Sequence, residues 1–279
     1  MSWRGRLDLR YRHEAGRTVA HDRHEGPLRV LQTLYPEGDK VAHHVLVHPP
    51  GGIVGGDELD VCLDLAEGAH ALVTTPGATR FYRSAGPVAT QRVVARLAPQ
   101  ARLEWLPLET LVYDAARARN DLRFELAPGA QMIGWDVLAL GLPASGQPFR
   151  QGRYEQQIEL PDLWVERSLL DVEDPLTHRR LASPLGWDGR AVLATMWFAS
   201  AAPLEAAARQ ILLEGARGAL AASPLVTRAG ATSPDGRVVV LRLLAERTEP
   251  AFAVLQTVWA SWRETVWHLP AVAPRIWRM

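Results

Sequence analysis

Three stretches of the chain echo one another: DVCLDLAEGAHALVTTP (60–76), RVVARLAPQARLEWLP (92–107) and DLRFELAPGAQMIGWDV (121–137). Each is an alternating run, a four-residue turn (AEGA, APQA, APGA) and a second apolar-rich run. In Val61-Leu63-Leu65 and Val93-Ala95-Leu97 the alternation puts apolar side chains on one face of a strand. The turns begin at Ala66, Ala98 and Ala127, so the spacing is 32 and then 29 residues. A recurrence near 30 residues indicates stacked hairpins or solenoid-like coils, because one hairpin alone cannot bury its apolar face.

Strand-like alternation continues at 153–160, 163–171 and 191–199, punctuated by the turn signals PASGQP and PLGWDG. There is no strand–helix–strand rhythm, which argues against a parallel dinucleotide-binding sheet. The last third changes character. An Ala-rich helix is expected from Pro203, with Leu204, Ile211 and Leu220 as core residues. A hairpin turning at SPDG should join PLVTRA to RVVVLRLLAE. A second helix should open after Thr248, its stripe Phe252, Leu255, Trp259, Trp262 and Val266 packing on the protein's own sheet. The expected fold is mainly β, a stacked, helix-like arrangement of short strands with two α-helices near the C-terminus. With no Gly/Ser linker, residues 1–279 read as one domain, β-rich over 1–200 and helix–hairpin–helix over 201–268.

Composition narrows the function. Of 279 residues 47% are apolar, enough for a packed core, and acids and bases balance at 31 each, without the basic stripe of nucleic-acid binders. The charged N-terminus lacks an apolar signal core, and the most apolar stretch, 191–203, is far short of a bilayer span; a cytoplasmic protein without membrane contact is expected. Cys62 is the only cysteine, which rules out an intrachain disulfide or multi-thiolate zinc site, and it is expected to be buried and inert. Lys40 is the only lysine, so lysine-dependent catalysis has almost nothing to draw on.

HPPGGIVGGD (48–57) has the composition of a rigid turn, from Pro49, Pro50 and the pairs Gly51-Gly52 and Gly55-Gly56. P-loop spacing from Gly51 places Asp57 and Glu58 where Lys and Ser/Thr should stand, and two acids repel phosphate. His43 and His44 are adjacent in a strand, so they face opposite ways and cannot easily share an ion. Among Asp57, Glu104, Glu109, Asp114, Asp136 and Glu166 no spacing singles out a catalytic pair, and no G-x-S-x-G elbow is present. TTPGATRFYRS (74–84) is a polar loop leaving a strand, where Arg80, Tyr82 and Arg83 either meet an acidic partner or are solvated.

Taken in order, RHEGPLRVLQTLYPEGD, HPPGGIVGGD, GAHALVTTPGATRFYRS, LEWLPLETLVYDAA and WDVLALGLPASGQPF resemble the UreD (UreH) family of urease accessory proteins, from about Trp3 into the C-terminal helices. The resemblance implies a non-enzymatic scaffold and metallochaperone subunit. Such a subunit binds apo-urease and recruits the F and G accessory proteins, G being the GTPase, for nickel insertion. No tightly bound cofactor is implied, only transient Ni²⁺. Polar groups lining an interior path would pass the ion, and Asp57, Asp136 and Glu166 are the candidate ligands, since Ni²⁺ accepts carboxylate oxygen. Pro49, Pro50, Gly51, Gly52, Gly55, Gly56, Thr74, Thr75, Arg80, Tyr82 and Arg83 carry the motifs and are candidates for partner binding. A β-solenoid hydrolase or lyase acting on saccharides is the rival reading, and a metal-independent protein-binding module a third.

Overall fold

The computed structural model describes residues 2–224 and 228–278. Its first strands are β1 (Arg4–Glu14), β2 (Arg17–Glu25), β3 (Arg29–Val30), β4 (Val41–Val47), β5 (Glu58–Leu65), β6 (His70–Thr74) and β7 (Thr79–Phe81). Then come β8 (Ala89–Leu97), β9 (Arg102–Trp105), β10 (Thr110–Val112), β11 (Ala116–Leu126), β12 (Gln131–Leu140), β13 (Gly152–Leu160) and β14 (Trp164–Asp171). The C-terminal part holds α1 (Pro175–Ala182), β15 (Val192–Ser200), α2 (Ala206–Ala221), β16 (Ala229–Asp235), β17 (Val238–Ala245) and α3 (Thr248–Trp267).

The strands form two facing sheets. One has seven strands in the order β14-β13-β11-β8-β5-β1-β2; the other has ten, its main path running β16-β17-β15-β12-β9-β6-β4-β3. Each echoing unit contributes one strand to each sheet, so the units are solenoid coils and not hairpins. The reason lies in the turns. Gly68, Gln100 and Gly129, third in each turn, take positive φ, and each turn closes with a hydrogen bond, as from Ala69 N–H to the Ala66 carbonyl. This swings the chain from one sheet to the other, and successive coils stack in parallel. Val61 pairs with Val93, and Val93 with Leu122. In the other sheet Ala71 pairs with Leu103, and Leu103 lies opposite Met132 through the neighbouring register. Both offsets are the 32 and 29 residues read from the turns.

The stack gives two interiors. Leu7, Leu63, Phe124, Met132 and Trp197 fill the space between the sheets. Ile133, Met196, Leu241, Leu255 and Trp262 fill a second layer, where α2 and α3 cover the outer face of the ten-stranded sheet. Leu255, Trp259 and Trp262 are buried there, with Phe252 and Val266 flanking them, so the tryptophan stripe does pack on the protein's own sheet.

Several local expectations differ. The helix expected at Pro203 begins at Ala206, and its buried face is Leu212, Leu213, Ala216 and Leu220, while Ile211 points to solvent. Leu204 precedes the helix, so counting periodicity from it rotated the inferred face. Helix α1 was not anticipated; it is a short, polar helix with Asp174 as N-cap and Pro175 in its first turn. In the hairpin the first strand starts at Ala229, and residues 225–227 of PLVTRA lie outside the described residues. Cys62 is half-buried and not buried, because the alternation that sends Val61 and Leu63 inward turns it toward the outer face. No helix among the described residues is long and apolar enough to cross a membrane.

Candidate functional site

Where the β-strands face each other, the apolar alternation is broken by polar residues at matching register. On the seven-stranded sheet Gln91 (β8) lies opposite Asn120 (β11), Asn120 opposite Gln156 (β13), and Gln156 opposite Ser168 (β14). On the ten-stranded sheet Asp136 (β12) pairs with Thr195 (β15), and Thr195 with Arg242 (β17). The rows are linked: Gln91 Nε2 donates to Asn120 Oδ1 at 3.1 Å, and Gln156 Nε2 crosses the gap to Asp136 Oδ2 at 2.6 Å. A polar seam thus runs across the inter-sheet core.

One end opens into a cavity of about 240 Å³, lined by His48, Trp105, Gln91, Asn120 and Asp136 together with Gly51, Gly52, Thr75 and Arg80. Its mouth is built by the two motif loops. Ile53 N–H donates to the Arg80 carbonyl at 2.7 Å, and Tyr82 N–H to the Ile53 carbonyl at 2.9 Å, so the loops are sewn together. Gly52 lies against the Tyr82 ring so closely that a Cβ would come within 2.0 Å of it, which explains the glycine there. Tyr82 in turn packs on Tyr113, ring centroids 4.8 Å apart. Gly55 is pressed against Ser84, and Pro49-Pro50 span a turn closed by Gly51 N–H to the His48 carbonyl.

The candidate ligands stand apart from one another. Asp57 is buried but does not line the cavity; its carboxylate accepts from the backbone N–H groups of Trp3 (2.8 Å) and Val54 (3.0 Å) and clamps the turn of residues 54–57. Thr74 faces the helical layer, donating to the Leu106 carbonyl and accepting from Trp277 Nε1, whereas Thr75 lines the cavity. Arg83 makes an isolated bridge to Ala116 beside the mouth. Glu166 sits on β14 at the opposite end of the seam, paired with Arg242. Only Asp136 combines burial with the cavity wall.

Asp136 carries the main electrostatic feature. Burial pushes its carboxyl up to about 6, the Gln156 hydrogen bond opposes the rise, and the Glu166 charge adds to it. His48 is lowered by burial, with the Asp57 charge opposing. Three buried donors of this region, Trp105 Nε1, Trp197 Nε1 and the Tyr154 hydroxyl, have no well-aligned hydrogen-bond partner among the described residues. Unpaired buried polar groups are rare and call for a physical reason. Among the described residues no three His, Cys, Asp or Glu side chains are placed to hold a metal ion. His43 and His44 do face opposite ways, one toward Glu37 and the other toward Tyr11.

Gln91, Asn120, Tyr154, Gln156, Thr195 and Arg242 were not anticipated from sequence. Their signal is an amide or hydroxyl at an inward position of an otherwise apolar alternation, as in Ala118-Asn120-Leu122 or Tyr154-Gln156-Ile158.

A family model described as UreD urease accessory protein matches residues 4–278. The chain is 59% identical to the urease accessory protein UreD of Leptothrix cholodnii over 280 residues, covering all of both chains. It is 55% identical to those of Variovorax paradoxus and Methylibium petroleiphilum, over 99% and 100% of both chains respectively.

Proposed function

Since the chain belongs to the UreD family of urease accessory proteins, with a role in urease maturation, we propose that it serves there as the scaffold and metallochaperone subunit. On this reading it binds apo-urease in the cytoplasm, recruits the F protein and the GTPase G, and lets Ni²⁺ pass through its inter-sheet seam. The observation that carries the reading is Asp136: a buried carboxylate on the wall of a cavity, continuous with a row of amides and hydroxyls across the core. Ni²⁺ accepts carboxylate and imidazole ligands, and His48 and Asp136 present one of each to the cavity. Transit demands ligands that bind well enough to admit the ion and weakly enough to release it. Ligands met singly supply that compromise. Asp57 acts one step removed, by holding the glycine turn that shapes the mouth.

The test is coexpression with urease and the F and G proteins, comparing wild type with Asp136→Ala, Glu166→Ala and the double variant. Pull-down of apo-urease should be unchanged, while urease activity and nickel content fall at least tenfold in the double variant. Wild-type nickel loading in that variant overturns the transit reading. Loss of pull-down in Asp136→Ala would instead assign the residue to assembly.

A further inference from the structure

The seam is closed at its far end by a side chain that sequence reading passed over. β14 belongs to the seven-stranded sheet and β17 to the ten-stranded one, so the ion pair of Glu166 with Arg242 bridges the two across the gap. Arg242 Nε donates to Glu166 Oε2 at 3.0 Å, and a second guanidinium nitrogen reaches the same oxygen. Its guanidinium lies 6.0 Å from the centre of the Trp164 ring, which packs against Trp197 in the core. Through Thr195, Arg242 shares its row with Asp136. The Glu166 side chain is only 16% exposed, whereas Arg242 is 49% exposed and opens onto a surface groove beside Trp187 and Leu244.

These facts have a simple electrostatic consequence. Arginine keeps its charge at any physiological pH, so Arg242 both occupies the Glu166 carboxylate and repels a divalent cation approaching it. A partly exposed ion pair is nevertheless weak, and this side chain has open space to swing into. We propose that Arg242 is a gate: seated on Glu166 it closes the seam to divalent cations, and displaced toward solvent it opens it. The inference rests on the transit reading above and adds its regulation. Any group that draws Arg242 outward, a carboxylate of a docked protein above all, frees Glu166 for the cargo.

The experiment is Ni²⁺ titration calorimetry on the purified full-length chain, without urease. Arg242→Gln should tighten Ni²⁺ binding at least tenfold over wild type, and adding Glu166→Gln should abolish the gain. Arg242→Lys retains the charge and should stay within twofold of wild type. A gain below twofold in Arg242→Gln, one that survives Glu166→Gln, or an equal gain in Arg242→Lys overturns the gate. This titration is independent of maturation. Failure of the gate leaves the Asp136→Ala activation defect in place, whereas failure of transit leaves activation intact even where the Arg242→Gln gain is seen.

Discussion

The two interiors of this molecule treat buried polar groups in opposite ways. Between the ten-stranded sheet and α3 runs a chain of charges in which each member has a partner. His70 Nε2 meets Glu104 Oε1 at 2.8 Å, Trp259 Nε1 donates to Glu104 Oε2 at 2.6 Å, and Arg263 Nε lies 3.3 Å from Glu104. Arg263 continues to Glu37 and to the Pro270 carbonyl, and Glu37 to His43. Between the two sheets, by contrast, among the described residues Asp136 has one side-chain donor, and three buried donors of the region have no well-aligned acceptor. A densely paired network locks elements together, here the N-terminal strands, α3 and the C-terminal tail, with Arg263 Nε the one member atom near an acceptor but out of hydrogen-bond geometry among the described residues. The acceptor capacity left over in the seam is that of the Asp136 carboxylate, since the unpaired indole N–H groups can only donate. The same fold thus holds one polar core built for rigidity and one with spare ligand capacity.

The largest effect should come from breaking the paired side. Arg263→Met leaves Glu104 and Glu37 buried without their shared cation, and removing one member of a buried ion pair costs about 3–5 kcal/mol. Burial alone would raise the Glu104 carboxyl, but the His70 hydrogen bond and charge, with Arg263 and Trp259 behind them, hold it below its ordinary value. A carboxylate lowered on folding stabilises the protein above its unfolded value and loses that contribution as pH falls through the folded one. Urea unfolding should therefore show the Arg263→Met defect at pH 7.5 and a smaller one at pH 4. A loss under 1 kcal/mol at pH 7.5 would mean that the network contributes nothing to rigidity, and the contrast between the two interiors would collapse.

How much of this contrast the chain announces depends on range. The coil architecture was legible because the 32- and 29-residue spacings of Ala66, Ala98 and Ala127 are the registers of the parallel stack itself. HPPGGIVGGD was legible as a rigid turn: Gly51 and Gly56 take positive φ, and Gly52 and Gly55 sit where the Tyr82 ring and Ser84 press close. The seam was only half visible. Asp136 stood out as an acid inside WDVL, but Gln91, Asn120 and Gln156 each look like one imperfection in one strand. They become a row only after parallel stacking superposes them. The pairings Glu104–Trp259 and Glu166–Arg242 join residues 155 and 76 positions apart, which no local periodicity encodes. Ile211 marks the opposite limit: helix phase counted from a residue outside the helix selects the wrong face.

Asp136→Asn sharpens the comparison with an effect of opposite sign. The carboxyl titrates at about 6 in the folded chain against an ordinary 3.8, so between those values the native state holds the extra proton. Stability then falls as pH rises through that window, by about 3 kcal/mol once the window is passed. The Asn variant keeps an acceptor for Gln156 without the buried charge. It should be about 2–3 kcal/mol more stable than wild type at pH 8 and equal to it near pH 3.5, by urea unfolding at both. The same variant should lower urease activation, since an amide is a poor ligand beside a carboxylate. A residue that costs stability and supports activity is the signature of a functional group. Equal stability at both pH values would place Asp136 among the locked polar residues instead.

The smallest and most diagnostic change is Tyr154→Phe. The hydroxyl is fully buried beside Asn120 and Asp136; burial raises its pKa well beyond that of free tyrosine and the approach of Asn120 opposes the rise, but among the described residues it makes no well-aligned hydrogen bond. Removing a buried polar atom that lacks a partner forfeits no interaction and relieves its desolvation, whereas removing a paired one typically costs about 1 kcal/mol. The ring and its contact with Phe81 remain. Stability should therefore rise or hold, by roughly 0–1 kcal/mol, read as the shift in urea midpoint at unchanged slope. A loss greater than about 1 kcal/mol would show the hydroxyl to be paired in solution. The seam would then differ from the network around Glu104 only in the Trp105 and Trp197 indoles and in the lightly paired Asp136 carboxylate.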